Sequence, residues 1–193
     1  MDDCEDIPED HPLLVAAFEG RIDEVRRLLA DGADANVVTE KGTPLHMALE
    51  NAGPEMVRCL VDAGADINLS GGSGYTPLFH AVDIACDWAS QRELERLPAE
   101  AVEVICFLLE QGADAGEKCT IGSARSPADL AHRYGRKGLA RFLRVIDYLQ
   151  RDVGAERITV LTPGISAEDV EAYFAFIAGG GPRERVLDQI SGW

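Results

Sequence analysis

The stretch 41-KGTPLHMALE-50 decides the fold of this chain. Thr43 has a hydroxyl that can accept a hydrogen bond from a backbone N–H in the first turn of a helix. Pro44 follows at the first helical position, where its missing N–H would have had no partner within the helix. The stretch therefore predicts that a helix begins at Pro44, and the same pairing recurs along the chain.

Two landmarks recur at a regular interval. A proline that begins an apolar helical pattern stands at Pro12, Pro44, Pro77 and Pro127, and the tripeptide Gly-Ala-Asp begins at Gly32, Gly64 and Gly112. Successive prolines of the first three units are 32 and 33 residues apart, and the first two glycines are 32 apart. From proline to glycine the first two units measure 20 residues and the third measures 35, so the third unit has about 15 extra residues.

These landmarks have a known counterpart. Residues 43–48 match the pattern T-P-L-H-x-A in full, residues 76–81 depart from it only at His, residues 11–16 depart at Thr and His, and residues 126–131 match least. Over residues 10–145 the chain therefore resembles the ankyrin-repeat family. The resemblance implies an all-α ankyrin-repeat solenoid of about four helix-turn-helix units, stacked because no single unit buries its apolar face.

The units suggest a division of the chain into three parts. We expect an acidic N-terminal segment at residues 1–10, a repeat domain at 11–151 and a C-terminal extension at 152–193. Within the repeat domain, an insertion at about residues 84–99 predicts a longer first helix and an extra turn or helix standing away from the stack. The extension mixes a β-prone run with a helical pattern, which predicts a small α/β or helical element. It either caps the stack or contacts a partner.

The chain is strongly acidic: 18 Lys and Arg residues stand against 34 Asp and Glu residues, a net charge of −16. A field of this sign opposes binding to nucleic acid or anionic membrane and favours a basic partner, although simple solubility also explains it. No stretch is long and apolar enough to span a bilayer, and the acidic N-terminus lacks the features of a secretory signal. We expect a cytoplasmic monomer.

The sequence contains little that points to catalysis. It has no Gly-Lys-Ser/Thr phosphate loop, no G-x-S-x-G and no H-E-x-x-H. Its five cysteines are scattered without a C-x-x-C pair, so we expect free thiols and no zinc site. His46 occupies the histidine position of the repeat pattern, where the resemblance implies structural hydrogen bonds. We therefore expect no enzymatic activity, no cofactor and no metal.

The resemblance implies that partners are bound by the fingertip loops (residues 36–42, 68–75 and 115–125) and by the adjacent concave face of the first helices. The candidate partner-binding residues are Val38, Glu40, Lys41, Ser70, Tyr75, Lys118 and Ile121, with Met47, Glu50 and Asp83 beside them. Trp88 on the insertion is either a packing anchor or an exposed binding anchor.

Three hypotheses about function remain open. The first is a non-catalytic protein-binding module, for example an acidic inhibitor or immunity protein that covers a basic toxin or effector. The second is a cytosolic scaffold or adaptor, which differs from the first by holding two partners at once. The third is a small-molecule sensor or enzyme that uses the C-terminal extension, for which the sequence offers no convergent set of titratable groups.

Overall fold

Eight helices follow one another in residues 11–51, 53–119 and 124–152, the part of the chain that the computed structural model describes. They are α1 (Pro12–Phe18), α2 (Ile22–Ala30), α3 (Pro44–Asn51), α4 (Gly53–Asp62), α5 (Pro77–Gln91), α6 (Ala99–Glu110), α7 (Pro127–Arg133) and α8 (Lys137–Asp152). No strand occurs in these ranges, and the predicted all-α solenoid is confirmed. The expected N-terminal segment and the extension beyond residue 152 lie outside the described residues.

The hydroxyl caps predicted from the sequence hold the first helix of three units. The Oγ1 of Thr76 accepts a hydrogen bond from the N–H of Phe79 at 3.3 Å. The Oγ1 of Thr43 accepts from the N–H of His46 at 3.4 Å. Ser126 caps α7 in the same way. Each cap provides a partner for a backbone N–H that the helix itself cannot bond.

The second helices of the first three units end at the Gly-Ala-Asp tripeptides. Gly32, Gly64 and Gly112 have φ values of 92°, 94° and 93°, in the left-handed region that favours glycine. In each case the residue after the glycine donates its N–H to a carbonyl in the last turn, as in the bond from Ala33 to Leu28 at 2.9 Å. The chain can therefore leave each helix and enter the next fingertip loop.

The helices stack in two layers. The first helices α1, α3, α5 and α7 pack side by side, and behind them α4 packs on α2 and on α6. One continuous hydrophobic core runs through both layers. The leucines buried most completely recur from unit to unit, at Leu14, Leu45, Leu60, Leu78, Leu108, Leu109 and Leu143. Burying a leucine side chain contributes roughly 1.5–3 kcal/mol, so the interfaces between units stabilise the fold.

The insertion takes the form of a long helix and a turn. Helix α5 has 15 residues, against 7 in α1 and 8 in α3, and residues 92–98 form the turn that leads to α6. The predicted longer helix and extra turn are both present. The turn does not stand away from the stack, because the Nη1 of Arg136 donates to the carbonyl oxygens of Leu94 at 2.8 Å and Glu95 at 2.9 Å. One guanidinium thus ties the insertion to the last helix pair.

Candidate protein-binding surface

The first two fingertip loops are in direct contact. A tight turn pairs Thr39 with Gly42 through two backbone hydrogen bonds of 2.9 and 3.1 Å, and it leaves Glu40 and Lys41 exposed at its tip. Gly72 of the second loop lies so close to this turn that a Cβ atom would collide with the backbone of Thr39 and Glu40. The absence of a side chain at Gly72 therefore allows the two loops to form one continuous surface.

His46 joins the first of these loops to the second. Its Nε2 lies 2.8 Å from the carbonyl oxygen of Tyr75, so Nε2 donates, and its Nδ1 accepts from the hydroxyl of Thr43 at 2.8 Å. Burial, together with the nearby His80, lowers the pKa of His46 from 6.5 to about 4. His46 is therefore neutral at pH 7 and has a structural role between units, as the resemblance implied.

Side-chain amides form a second set of bonds between units. Asn36 donates from Nδ2 to the carbonyl of Gly64 at 3.1 Å, and its Oδ1 accepts from the N–H of Asp66 at 2.7 Å. Asn68 makes the equivalent bonds to Gly112 and Asp114, at 3.2 and 2.9 Å. This ladder was not predicted from the sequence. Its signal was an Asn two residues after the Asp of the first two Gly-Ala-Asp tripeptides.

The third rung of the ladder comes from another element. In the third unit Gly116 stands where an Asn would be, and Gln150 of α8 supplies the amide instead. The Nε2 of Gln150 donates to the carbonyl of Ala113 at 2.7 Å, and its Oε1 accepts from the N–H of Ala115 at 2.9 Å. A Cβ atom at Gly116 would collide with Asp147, so glycine lets α8 approach the loop.

We expect the substitution Asn68→Ala to lower the free energy of unfolding by about 1–2 kcal/mol. The change removes two hydrogen bonds and leaves the carbonyl of Gly112 and the N–H of Asp114 without their partner, and each such bond contributes about 0.5–1.5 kcal/mol. Urea unfolding followed by circular dichroism measures the loss. Asn51→Ala, at the exposed end of α3, is the matched control and should change stability by less than about 0.5 kcal/mol. Equal losses in the two variants would contradict the ladder.

Most of the predicted partner-binding residues reach the surface. Val38 is 49% exposed, and the side chains that are also exposed are those of Glu40, Lys41, Glu50 and Lys118. Ser70, Tyr75 and Asp83 are half-buried. The ring of Tyr75 stacks on Phe79 with 4.8 Å between the ring centroids, so part of it serves packing. Ile121 lies outside the described residues.

The prediction that Met47 contributes to the binding surface is wrong. Met47 is only 2% exposed and belongs to the hydrophobic core. Helix α3 packs against α1 on one side and against α5 on the other, so an apolar residue directed to either side is covered.

Two other candidate residues on the first helices have polar partners in neighbouring units. The carboxylate of Glu50 lies 3.2 Å from the Nε2 of His80, and the hydroxyl of Tyr134 donates to Asp83 at 3.1 Å. These contacts fix the two carboxylates in position across the face of the first helices. Each carboxylate is therefore held in a defined place rather than on a freely rotating side chain.

Trp88 lies at the surface of the insertion. Its side chain is 39% exposed, and the guanidinium carbon of Arg92 lies 3.9 Å from the centroid of its ring. A cation stacked on an indole ring holds it in one orientation. Trp88 is thus partly exposed, and whether it is a packing anchor or a binding anchor stays a prediction.

The described residues offer few side chains that could act as a nucleophile or bind a metal ion. Burial raises the pKa of the Cys86 and Cys106 thiols to about 12, so neither is a thiolate nucleophile at pH 7. Among residues 11–51, 53–119 and 124–152, no group of three or more His, Cys, Asp or Glu side chains is placed to hold a metal ion. None of the helices in those ranges is long and apolar enough to cross a membrane.

Comparison with known proteins agrees with the repeat geometry. The sequence pattern of the family described as ankyrin repeats matches residues 11–91 as three copies. The chain is an ankyrin-repeat protein. In this ankyrin-repeat protein the match ends with α5, so α6 and the fourth helix pair, α7 and α8, lie beyond it, and α7 has the pattern that departs most from the repeat. Ankyrin repeats generally mediate interactions between proteins.

Three relatives illustrate the similarity. An ankyrin repeat-containing protein of Schizosaccharomyces pombe is 36% identical over 80 residues, which cover 40% of this chain and 39% of the relative. Alpha-latroinsectotoxin-Lt1a of Latrodectus tredecimguttatus is 31% identical over 142 residues, 72% of this chain and 9% of the toxin. Ankyrin repeat and SOCS box protein 5 of Bos taurus is 42% identical over 98 residues, 50% of this chain and 28% of that protein. The chain thus matches less than half the length of each relative.

Proposed function

We propose that this ankyrin-repeat protein is a non-catalytic module that binds a basic partner protein. The observation that carries the proposal is a row of carboxylates at the ends of the second helices. Asp34, Asp66 and Asp114 are exposed, and each accepts a hydrogen bond from a backbone N–H two residues further on, at 2.8, 2.9 and 2.8 Å. Each of these bonds holds one carboxylate in a defined place on its own loop.

Glu117 lies close to two members of this row, Asp66 and Asp114. Burial raises the pKa of Glu117, and the neighbouring Asp114 and Asp66 raise it further. The charges of Asp114 and Asp66 thus disfavour the ionised form of Glu117, and a cation placed beside these carboxylates relieves the repulsion. Together with the net charge of −16, this favours a partner with a basic surface.

The more specific form of the proposal is an inhibitor or immunity protein that covers a basic toxin or effector in the cytoplasm as a monomer. The exposed fingertip loops and the insertion provide the varied surface that such a complex requires. The second candidate is a scaffold, which the same surfaces favour if the fingertip loops and the insertion hold different proteins.

The test is affinity capture from the cytosol of the source organism at low salt, followed by mass spectrometry and by titration of the purified partner. We expect one basic protein, released as salt is raised, because screening weakens contacts between exposed charges. Several proteins retained together would favour the scaffold. An empty column, or a complex that does not respond to salt, would overturn the proposal of a basic partner.

Two double variants test whether the carboxylates of the row contribute to partner binding. Asp66→Asn with Asp114→Asn removes two charges, while the amide oxygens can still accept the loop hydrogen bonds. We expect this variant to bind the purified partner more weakly and with a shallower salt dependence. Glu93→Gln with Glu95→Gln removes the same charge from the exposed turn of the insertion and should have a smaller effect. Equal effects would mean that net charge alone, rather than the row, governs binding.

A further inference from the structure

A groove lies on the long edge of the stack that is opposite the fingertip loops. Helices α3 and α5 begin at equivalent prolines, but α5 has 7 more residues than α3 (15 against 8), so it extends roughly 10 Å further. The second half of α5 has no first helix of the preceding unit beside it. The space beside it is bounded by the end of α3, the start of α4, α5 and the start of α6. The volume of this space is about 320 Å³.

The walls of this insertion groove are apolar with an acidic rim. Leu49, Ile84, Trp88 and Val104 are among the apolar side chains that line it. The charged residues of the lining are Glu50 on α3 and Glu100 on α6, so the carboxylates stand on different walls. No Lys, Arg or His lines this groove among the described residues.

We propose that the insertion groove binds a basic amphipathic helix of a partner protein. The occupant's aliphatic side chains would fill the apolar floor beside Trp88, and its Lys or Arg residues would meet Glu50 and Glu100. A volume of about 320 Å³ is at the lower end of the roughly 300–1,000 Å³ found for binding sites, enough for a few side chains rather than a folded domain. The inference rests on the proposed protein-binding function and identifies one surface that performs it.

A helix fits this groove better than an extended strand. The groove is lined by helices and helix ends, and the described residues around it include no strand edge with which an extended segment could pair. An extended segment in the groove would leave its own N–H and C=O groups without partners, which is unfavourable in an apolar site. A helix satisfies those groups internally and presents side chains at i, i+3, i+4 and i+7 to the floor.

The wall that contains Trp88 is ordered before any partner arrives. Arg92 stacks on the indole ring, and the turn that follows α5 is held by the two hydrogen bonds from Arg136. Because the Trp88 ring is already held in place, binding does not have to immobilise it. The entropy cost of ordering that side chain therefore does not reduce the affinity. An exposed Trp beside an apolar floor is also the residue type that contributes most often to binding hot spots.

The experiment uses Trp88 as its own reporter. The chain has two tryptophans, so the full-length Trp193→Phe variant leaves Trp88 as the single one. The probe is a synthetic 18-residue peptide with Leu at helical spacing and Lys elsewhere. Two matched peptides replace every Lys by Glu or every Leu by Gln. We expect the Lys–Leu peptide to shift the emission of Trp88 to shorter wavelength and to bind at least tenfold more tightly than either control.

Substitutions then locate the peptide in the groove. Glu100→Lys reverses a charge on the rim and should weaken binding of the Lys–Leu peptide at least tenfold, and so should Trp88→Ala, measured by calorimetry. Glu95→Lys makes the same charge change at an exposed position outside the lining and should leave binding within about threefold. If the peptide bound equally to the Glu100→Lys and Glu95→Lys variants, net charge would explain the binding and the proposal would be overturned.

Other occupants give distinct results in the free chain. Protection of Trp88 from acrylamide quenching that grows with protein concentration would assign the groove to a second copy of the chain. Protection independent of concentration would assign it to residues 153–193 of the same chain, and either result overturns the proposal. A captured partner that binds wild type and Trp88→Ala equally would contradict binding in the groove but leave the proposed function standing. An empty capture column together with groove-specific peptide binding would contradict the proposed function but leave binding in the groove standing.

Discussion

Acidification from pH 7 to pH 4 is expected to lower the free energy of unfolding by about 3 kcal/mol through His46 alone. In the folded chain burial lowers the pKa of His46 to about 4, whereas the unfolded chain has the ordinary value of 6.5. Between these values the unfolded state binds a proton that the folded state does not, so stability falls as the pH falls through this window. A difference of one pKa unit corresponds to about 1.4 kcal/mol, which gives the expected loss.

The measurement is urea unfolding at a series of pH values from 7 to 4, for wild type and for His46→Gln. The carboxylates titrate in both proteins, so the difference between the two curves isolates His46. We expect the stability advantage of wild type over the variant to shrink below pH 6.5 and to level off near pH 4. His132→Gln, at an exposed position, is the control for replacing a histidine by glutamine. Parallel curves for wild type and His46→Gln would show that the buried imidazole does not govern acid stability.

The sequence predicts the repeats well because their landmarks are local. A hydroxyl cap followed by proline specifies where a helix begins, and a left-handed glycine specifies where one ends, through interactions within a few residues. Thr76 and Gly112 are placed as expected even though the unit between them has an insertion. The role of His46 could also be predicted, because its position in the repeat pattern determines which backbone groups it meets.

The parts that could not be predicted depend on contacts between distant residues. Gln150 reaches a loop 35 residues earlier in the chain, and no local pattern indicates that it replaces an asparagine. Met47 is apolar on a helix of 8 residues that is covered on two sides, so its spacing does not distinguish a buried side from the exposed one. The insertion groove arises because α5 is longer than its neighbour, which a pattern within α5 alone does not reveal.

Replacing Leu108 by alanine is expected to lower the free energy of unfolding by about 2–5 kcal/mol. Leu108 of α6 is 0% exposed, and it lies in the core shared by α5 and α6. The change removes buried methyl groups and leaves a cavity that the helices around it cannot fully close, because each is fixed by contacts on both sides. Urea unfolding at pH 7 measures the loss.

Leu94→Ala is the matched control for this substitution. It removes the same atoms from a side chain that is 39% exposed, while the carbonyl that accepts from Arg136 belongs to the backbone and remains. We expect a change within about 0.5 kcal/mol, since surface substitutions away from specific contacts have effects of this size.

The Leu108 variant also tests how the units depend on each other. In a stack of repeats, stability is the sum of each unit's own stability and its interfaces with neighbours, so a cavity in α6 weakens its interfaces as well as its own unit. Hydrogen exchange should show lower protection in α5 and α6 and, to a smaller extent, in α3, α4 and α7, which pack against them. Equal losses of stability for Leu108→Ala and Leu94→Ala, or reduced protection confined to α1 and α2, would contradict a core organised along the stack.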